Sequence, residues 1–502
     1  MPEALQHEAE GAAEHDSLGR PIMSLDNHMQ MLKCCDDHCP VKFYPAGSPS
    51  DARKQFRLDD GSSCAWAKPD QCFGTDILRS RIEPWLTALF QSEHLSVLVG
   101  SGLTHALHYM ATGKKLPGMR QVSFVPDSAL VKGIESEAAR SARATGRENG
   151  NVEDQIRVAT ELLRGLEILA AAEPNEIFRC QIVKPLREGI EKVINDFAVS
   201  ILKGEYSLAS APGNRREETF NYLVSFLMSF ASRTGTRDRL HLFTTNYDRF
   251  IEAGADSAGL RLIDRFVGTL APIFRASRLD IDMHYNPPGI RGEPRYLEGV
   301  ARFTKLHGSV DWVDSNHMIR RIGLPFGADD LSTHISGYGF EVANAMQLMI
   351  YPNAAKDRET ALYPYVELFR DFAAAICRPN STLVCYGYSF GDEHINRIIE
   401  DMLTIPSAHL VIISHGDPLG RVINTYVRLG RPAQITLLLG DHLGDFKTLV
   451  DHYLPKPAID RTTFRMAELL KARWGIREDN KPEGGDKSVL PPALTAEGEA
   501  TP

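Results

Sequence analysis

The stretch TLVCYGYSFGDEHINRIIEDML, residues 382–403, decides how this chain folds. Its first half is a near-continuous apolar, β-prone run. It does not alternate, so it suits a strand covered on both faces of a parallel sheet. Gly387 and Gly391 mark a turn, and Asp392 is of the type that caps a helix. Ile395, Ile398, Ile399 and Met402 then share one helical face.

The same grammar recurs outward from this unit. Short apolar runs appear at LSVLVG (95–100), LHLFTTNY (240–247), FTKLHGS (303–309), QLMIYP (347–352), HLVIISH (409–415) and QITLLLG (434–440), several of them followed by helical patterns. Strand–turn–helix units repeated in this way predict an α/β fold with a doubly wound (Rossmann-like) parallel sheet. The alternation breaks between about 120 and 235. There Ile156, Ala159, Leu163 and Leu166 share a face, as do Ile190, Val193, Ile194 and Phe197, and FNYLVSFLMSF (220–230) reads as a largely buried helix. We expect a helical module inserted between the first and second strands of the sheet. The predicted organisation is an N-terminal extension (1–75), partly disordered; a nucleotide-binding domain (76–119 and 236–455); the helical insertion (120–235); and a C-terminal helix with a flexible tail (456–502).

Composition narrows the function classes. Of 502 residues, 43% are hydrophobic and 24% charged, which is ordinary for a soluble globular protein. The formal net charge of -9 argues against a dedicated nucleic-acid binder. No apolar run reaches the roughly 18 residues of a membrane span, and no signal peptide is visible, so a cytoplasmic protein is expected. Eight cysteines are too few for a disulfide scaffold. Cys180, Cys377 and Cys385 lie in apolar surroundings and read as small core residues.

Four motifs follow strands and carry the chemistry. Gly100-Ser101-Gly102-Leu103-Thr104 offers backbone amides and a helix N-terminus to a phosphate, although alone it also fits a tight strand–helix turn. Thr244-Thr245-Asn246-Tyr247-Asp248 clusters polar groups at a strand end, where open α/β sheets bind ligands. A capping Asp and a turn Asn explain its parts singly. Leu306-His307-Gly308-Ser309 places a histidine, the side chain most readily poised as a base near neutral pH, beside a glycine. Gly387-Tyr388-Ser389-Phe390-Gly391-Asp392 is a second backbone cradle or an N-capping turn.

In this order the four motifs resemble the blocks of the sirtuin family, G-A-G-x-S, T-Q-N-x-D, H-G and G-T-S, over about residues 90 to 445. The chain is most similar to the zinc-free sirtuin-like branch of bacterial anti-phage defence, with its T-x-N-Y-D and G-Y-S-x-x-D-x-x-I blocks. The resemblance implies that Asn246 and His307 act at the nicotinamide ribose of NAD. It implies that Gly100, Ser101, Gly102 and Thr104 hold the phosphates and ribose, that Thr245 and Asp248 belong to the same pocket, and that Gly387 and Ser389 hold the adenosine side. Ser101 stands where the family usually has alanine and Thr245 where it has glutamine. Between Val310 and Tyr386 the only cysteines are Cys377 and Cys385, so the four-thiolate zinc module of the protein deacylases is missing.

The implied activity is NAD hydrolysis, NAD and water giving ADP-ribose and nicotinamide, with NAD as substrate and no metal required. An effector that depletes NAD in defence would be gated. The resemblance implies a homo-oligomer, sometimes with a HerA-type ATPase encoded nearby. An NAD-dependent protein deacylase, a non-catalytic NAD or ADP-ribose sensor, and a structural subunit are the competing readings. Cys34, Cys35, His38, Cys39, Cys64 and Cys72 are candidate zinc ligands, but Cys64 and Cys72 are too far apart for the usual paired spacing. Solvated or core cysteines are expected ahead of a zinc site.

A helical insertion longer than a strand–helix connection requires is expected to supply oligomer or partner contacts. Light scattering on the purified chain should then show a species larger than a monomer. A strict monomer at every concentration, with and without a partner, contradicts it.

Overall fold

The computed structural model describes residues 28–46, 55–68, 70–116, 129–144, 150–172, 179–233, 237–277, 281–285, 295–315, 318–329, 334, 348–350 and 363–457. Residues 1–456 form one compact unit; the second, 457–502, is described only at Pro457. The expected loose N-terminus, the C-terminal helix and the tail fall outside the described residues.

The fold is α/β, built on a mixed sheet of eleven strands. Its parallel part runs in the order Ile435–Leu439, His409–Ser414, Ser381–Tyr386, His94–Val99, His241–Thr244, Val300–Lys305, Arg261–Ile263. Ser381–Tyr386, His241–Thr244 and Ile435–Leu439 are buried along their whole length, which is why their sequences read as unbroken apolar runs. Successive residues face opposite layers. Val97, Val99, Val384 and Tyr386 join a core with the helices Thr75–Phe90, Ser101–Thr112 and Gly213–Ala231. Leu98, Leu383 and Cys385 join one with the helices Tyr365–Ile376, Glu393–Leu403 and Arg421–Leu429.

The sheet departs from a wholly parallel one at one end. Gln30–Lys33 pairs antiparallel with Ile435–Leu439, and Val41–Pro45, Gln55–Leu58 and Phe73–Gly74 continue outward as an antiparallel meander. Residues 30–74, set apart from the domain in the sequence, therefore extend its sheet. The outer strands are short and buried on one face only, so they lack the continuous apolar signature. Cys34 is buried in this layer, Cys35 and Cys64 are half-buried, and Cys39 and Cys72 are exposed. Leu348–Ile350 is a strand, but it pairs antiparallel with Gly308–Ser315 in a separate five-stranded sheet. A short apolar run does not specify its partner. Cys385 is buried as expected, Cys377 is half-buried, and Cys180 is exposed on a π-turn at Arg179–Val183.

The helices between the first two parallel strands divide between two cores. Gly213–Ala231 packs on the sheet through Leu223, Phe226, Leu227 and Phe230. Ala129–Ala144, Val152–Ala172 and Lys184–Ala209 build a third core, which also takes in Tyr247, Val310, Val313, Ile322 and Leu324.

The strand order reverses beside His94–Val99, whose neighbours are His241–Thr244 on one side and Ser381–Tyr386 on the other. The turns leaving 94–99 and 381–386 are pressed together there. The Gly100 amide donates to the Tyr386 carbonyl at 3.0 Å, and the Gly102 amide to the Gly387 carbonyl at 3.0 Å. A Cβ at Gly102 would lie 2.6 Å from the Gly387 Cα, and Gly387 has φ +60. Both neighbours are backbone and cannot swing away. Alanine at 102 would gain about 1 kcal/mol of helix propensity, against a steric cost of about 1–3 kcal/mol. Gly102→Ala should therefore be neutral to destabilising in chemical denaturation. A clear gain in stability would contradict this contact.

Candidate functional site

The parallel strands deliver their following turns to one edge, and the four sequence motifs meet there around a cleft of about 620 Å³. Gly100, Ser101, Thr104, Thr245, Asn246, Asp248, His307 and Ser389 line it. Gly102 and Gly387 lie just behind, in the contact between the two turns. The helix Ser101–Thr112 starts at Gly100 with no side-chain cap, and Gly100 and Ser101 at its N-terminus line the cleft.

Asn246 is 8% exposed and fixed from three sides. Its amide nitrogen donates to the Gly100 carbonyl at 2.9 Å and to Thr104 Oγ1 at 3.0 Å. Its backbone N–H donates to Thr244 Oγ1 at 3.0 Å. With the side-chain donors used, the carboxamide oxygen is the group it offers a ligand. The Thr104 hydroxyl donates in turn to Asp248 Oδ2 at 2.5 Å, and Asp248 Oδ1 accepts the Phe250 amide at 3.3 Å. Both Asp248 oxygens thus serve the loop. Burial pushes the Asp248 carboxyl up, and the Lys305 ammonium and the Thr104 hydrogen bond oppose that. Lys305 is buried beneath the loop, 3.0 Å from Glu252, and donates to the Asp248 carbonyl.

His307 sits across the cleft, its Nε2 2.8 Å from Asp392 Oδ2. Asp392 also caps the helix Glu393–Leu403, its Oδ1 accepting the His394 amide at 3.0 Å. The sequence identified the cap and missed the histidine contact, because these residues lie 85 positions apart. Arg421 reaches the cleft beside Ser389 and Gly391 from the start of its helix and, among the described residues, is the only Lys or Arg lining it. Its position after a parallel strand was the available signal.

The far wall was not foreseen. It comes from the helical module, through Glu153, Val193, Asp196, Phe197, Ser200 and Ile201. Tyr247 ties the wall to the sheet: its ring meets Phe197 edge-on at 5.7 Å, and its hydroxyl donates to Glu153 at 3.4 Å. Burial, then Glu153, push this phenol well above its ordinary range, so it stays protonated. Arg249 closes the joint. It forms an ion pair with Glu205 at 2.5 Å and donates to the Leu324 and Pro325 carbonyls.

Among the described residues no group of three or more His, Cys, Asp or Glu side chains is placed to hold a metal ion, and no helix is long and apolar enough to cross a membrane. Residues 240–426 match the SIR2-like domain family. The match runs from the strand that precedes Asn246 to the helix begun by Arg421 and supports a sirtuin-like family. SIR2-like domains use NAD, which suggests an NAD-utilising enzyme. No curated protein matches the chain.

Glu205 is fully buried, and its loss would strand the Arg249 guanidinium in the interior. Glu205→Ala should cost about 3–5 kcal/mol in chemical denaturation. A change below about 1 kcal/mol, the range of exposed pairs, would mean that this ion pair does not join module to sheet.

Proposed function

We propose that this chain, with its SIR2-like domain, is an NAD hydrolase of the zinc-free sirtuin-like branch, on a doubly wound sheet that presents NAD to water. The observation that carries the reading is the direct bonding of Asn246 to Gly100, 146 residues away. The motif suited to phosphate and the motif suited to ribose form one hydrogen-bonded unit. Gly100, Gly102 and Gly387 keep side chains away from the turns, which suits a diphosphate lying against backbone. Arg421 supplies a cation on the Ser389 side.

Loss of nicotinamide builds positive charge at the ribose anomeric carbon. The Asn246 carboxamide oxygen is placed to orient a ribose hydroxyl or the attacking water. His307 takes a proton from that water or hydroxyl. Asp248 supports the loop through Thr104. The helical wall limits the water that reaches the cleft. The chain between Val310 and Tyr386 has two cysteines where a deacylase zinc module needs four thiolates, which supports water over acyl-lysine as the acceptor. The relation to anti-phage defence, the homo-oligomer and a HerA-type ATPase partner belong to the same proposal.

A mass balance of NAD, nicotinamide and ADP-ribose tests it, run with and without an acetylated peptide and a chelator. Equal nicotinamide and ADP-ribose in every condition are expected. Asn246→Ala and His307→Ala should each lower release by at least about 100-fold with the fold intact. Acetyl-ADP-ribose formed only with peptide would replace hydrolysis with deacylation, and loss of activity to the chelator would require a metal. Parent rates in both variants would overturn the residue assignment.

A further inference from the structure

We infer that Asp392 is the positioning residue for His307, fixing which ring nitrogen can take the proton. This rests on the reading of His307 as the base in nicotinamide–ribose cleavage. Asp392 is buried, with a 5% exposed side chain, and its two oxygens have separate tasks. Oδ1 accepts the His394 amide at the helix start, and Oδ2 faces His307 Nε2 at 2.8 Å. The helix N-terminus favours the ionised carboxylate, and an ionised carboxylate only accepts. Nε2 therefore carries the hydrogen. In the neutral ring Nδ1 is then the basic nitrogen, and the same carboxylate stabilises the imidazolium that forms when Nδ1 is protonated.

The turn is built to hold Asp392 in place. Phe390 adopts φ +52, a left-handed conformation uncommon for a residue with a side chain. It is held by Asn396, whose amide donates to the Phe390 carbonyl at 2.9 Å, while the Asn396 backbone N–H donates to the Asp392 carbonyl at 3.0 Å. The Tyr388 hydroxyl lies 3.2 Å from that carbonyl and 3.0 Å from Asn396 Oδ1. A turn that served only to start a helix would not need to aim the second oxygen at a histidine in the turn after another strand.

The chemical step balances as follows. The water oxygen bonds to the anomeric carbon, and the carbon–nitrogen bond breaks with its electron pair leaving on nicotinamide. The water proton passes to His307 Nδ1 and then to solvent.

Asp392→Asn separates the two tasks, because Asn caps helices as well as Asp does but presents an NH₂ to the ring. The ring should then reverse to the Nδ1–H form. The full-length chain, labelled with ¹⁵N-histidine, reports the tautomer in long-range ¹H–¹⁵N spectra, with His307→Ala assigning the signal. We expect Nε2–H in the parent and Nδ1–H in Asp392→Asn. For the variant we expect kcat to fall at least about 100-fold, KM to stay within about threefold, and the melting midpoint to stay within about 2 °C. An Nδ1–H ring in the parent, a variant with parental kcat, or a variant that loses activity and stability while keeping Nε2–H would each overturn the inference. If the parent releases no nicotinamide, the hydrolase reading falls, and the two spectra still decide the role of Asp392.

Discussion

The backbone contact between Gly102 and Gly387 is the constraint on which the rest of the structure depends. Neighbouring parallel strands, 94–99 and 381–386, end side by side where the strand order reverses, and their chains leave in different directions. A crevice forms outside the strand ends at such a point, and behind it the two turns lie against each other. Here the amide of one turn bonds to the carbonyl of the other, and no side chain fits between them. Everything placed around the cleft follows from that closure. Asn246 reaches Gly100 because the next strand is in register with 94–99, Thr244 opposite Val99. Ser389 and Asp392 enter from the other side because they follow Gly387.

The helical module gives the cleft its depth. Its core is continuous with Tyr247, Val310 and Val313, so it packs on the polar end of the sheet and not on a free surface. Arg249 and Glu205 hold the joint by an ion pair taken out of water, an arrangement that is favourable only with complete hydrogen bonding. Arg249 meets that condition through the carboxylate and the carbonyls of Leu324 and Pro325. The lining of the cleft and the packing of the module therefore share one stretch of chain, Asn246 to Arg249.

Much of this was legible in the sequence because burial on both faces leaves an unbroken apolar run. The strands 94–99, 241–244, 381–386, 409–414 and 435–439 were found for that reason, and the Asp392 cap because it directly precedes an amphipathic helix. The polar motifs were legible as one cluster because parallel strands present their ends on one edge. The antiparallel meander at residues 30–74 was hidden by its short strands and one-sided burial. Leu348–Ile350 showed its strand character but not its sheet. Cys180 stood among apolar neighbours in sequence and is exposed on the π-helical turn Arg179–Val183. The wall residues Glu153, Asp196 and Phe197 and the His307–Asp392 contact are tertiary facts, joining segments with no local pattern in common.

The most direct test of this account is a crystal structure of the His307→Ala variant soaked with NAD. The account predicts the diphosphate against the backbone of Ser101 and Gly102, the nicotinamide ribose within hydrogen-bond reach of Asn246, and the adenosine end towards Ser389 and Arg421. NAD bound elsewhere on the chain, or a cleft left empty at saturating NAD, would contradict it.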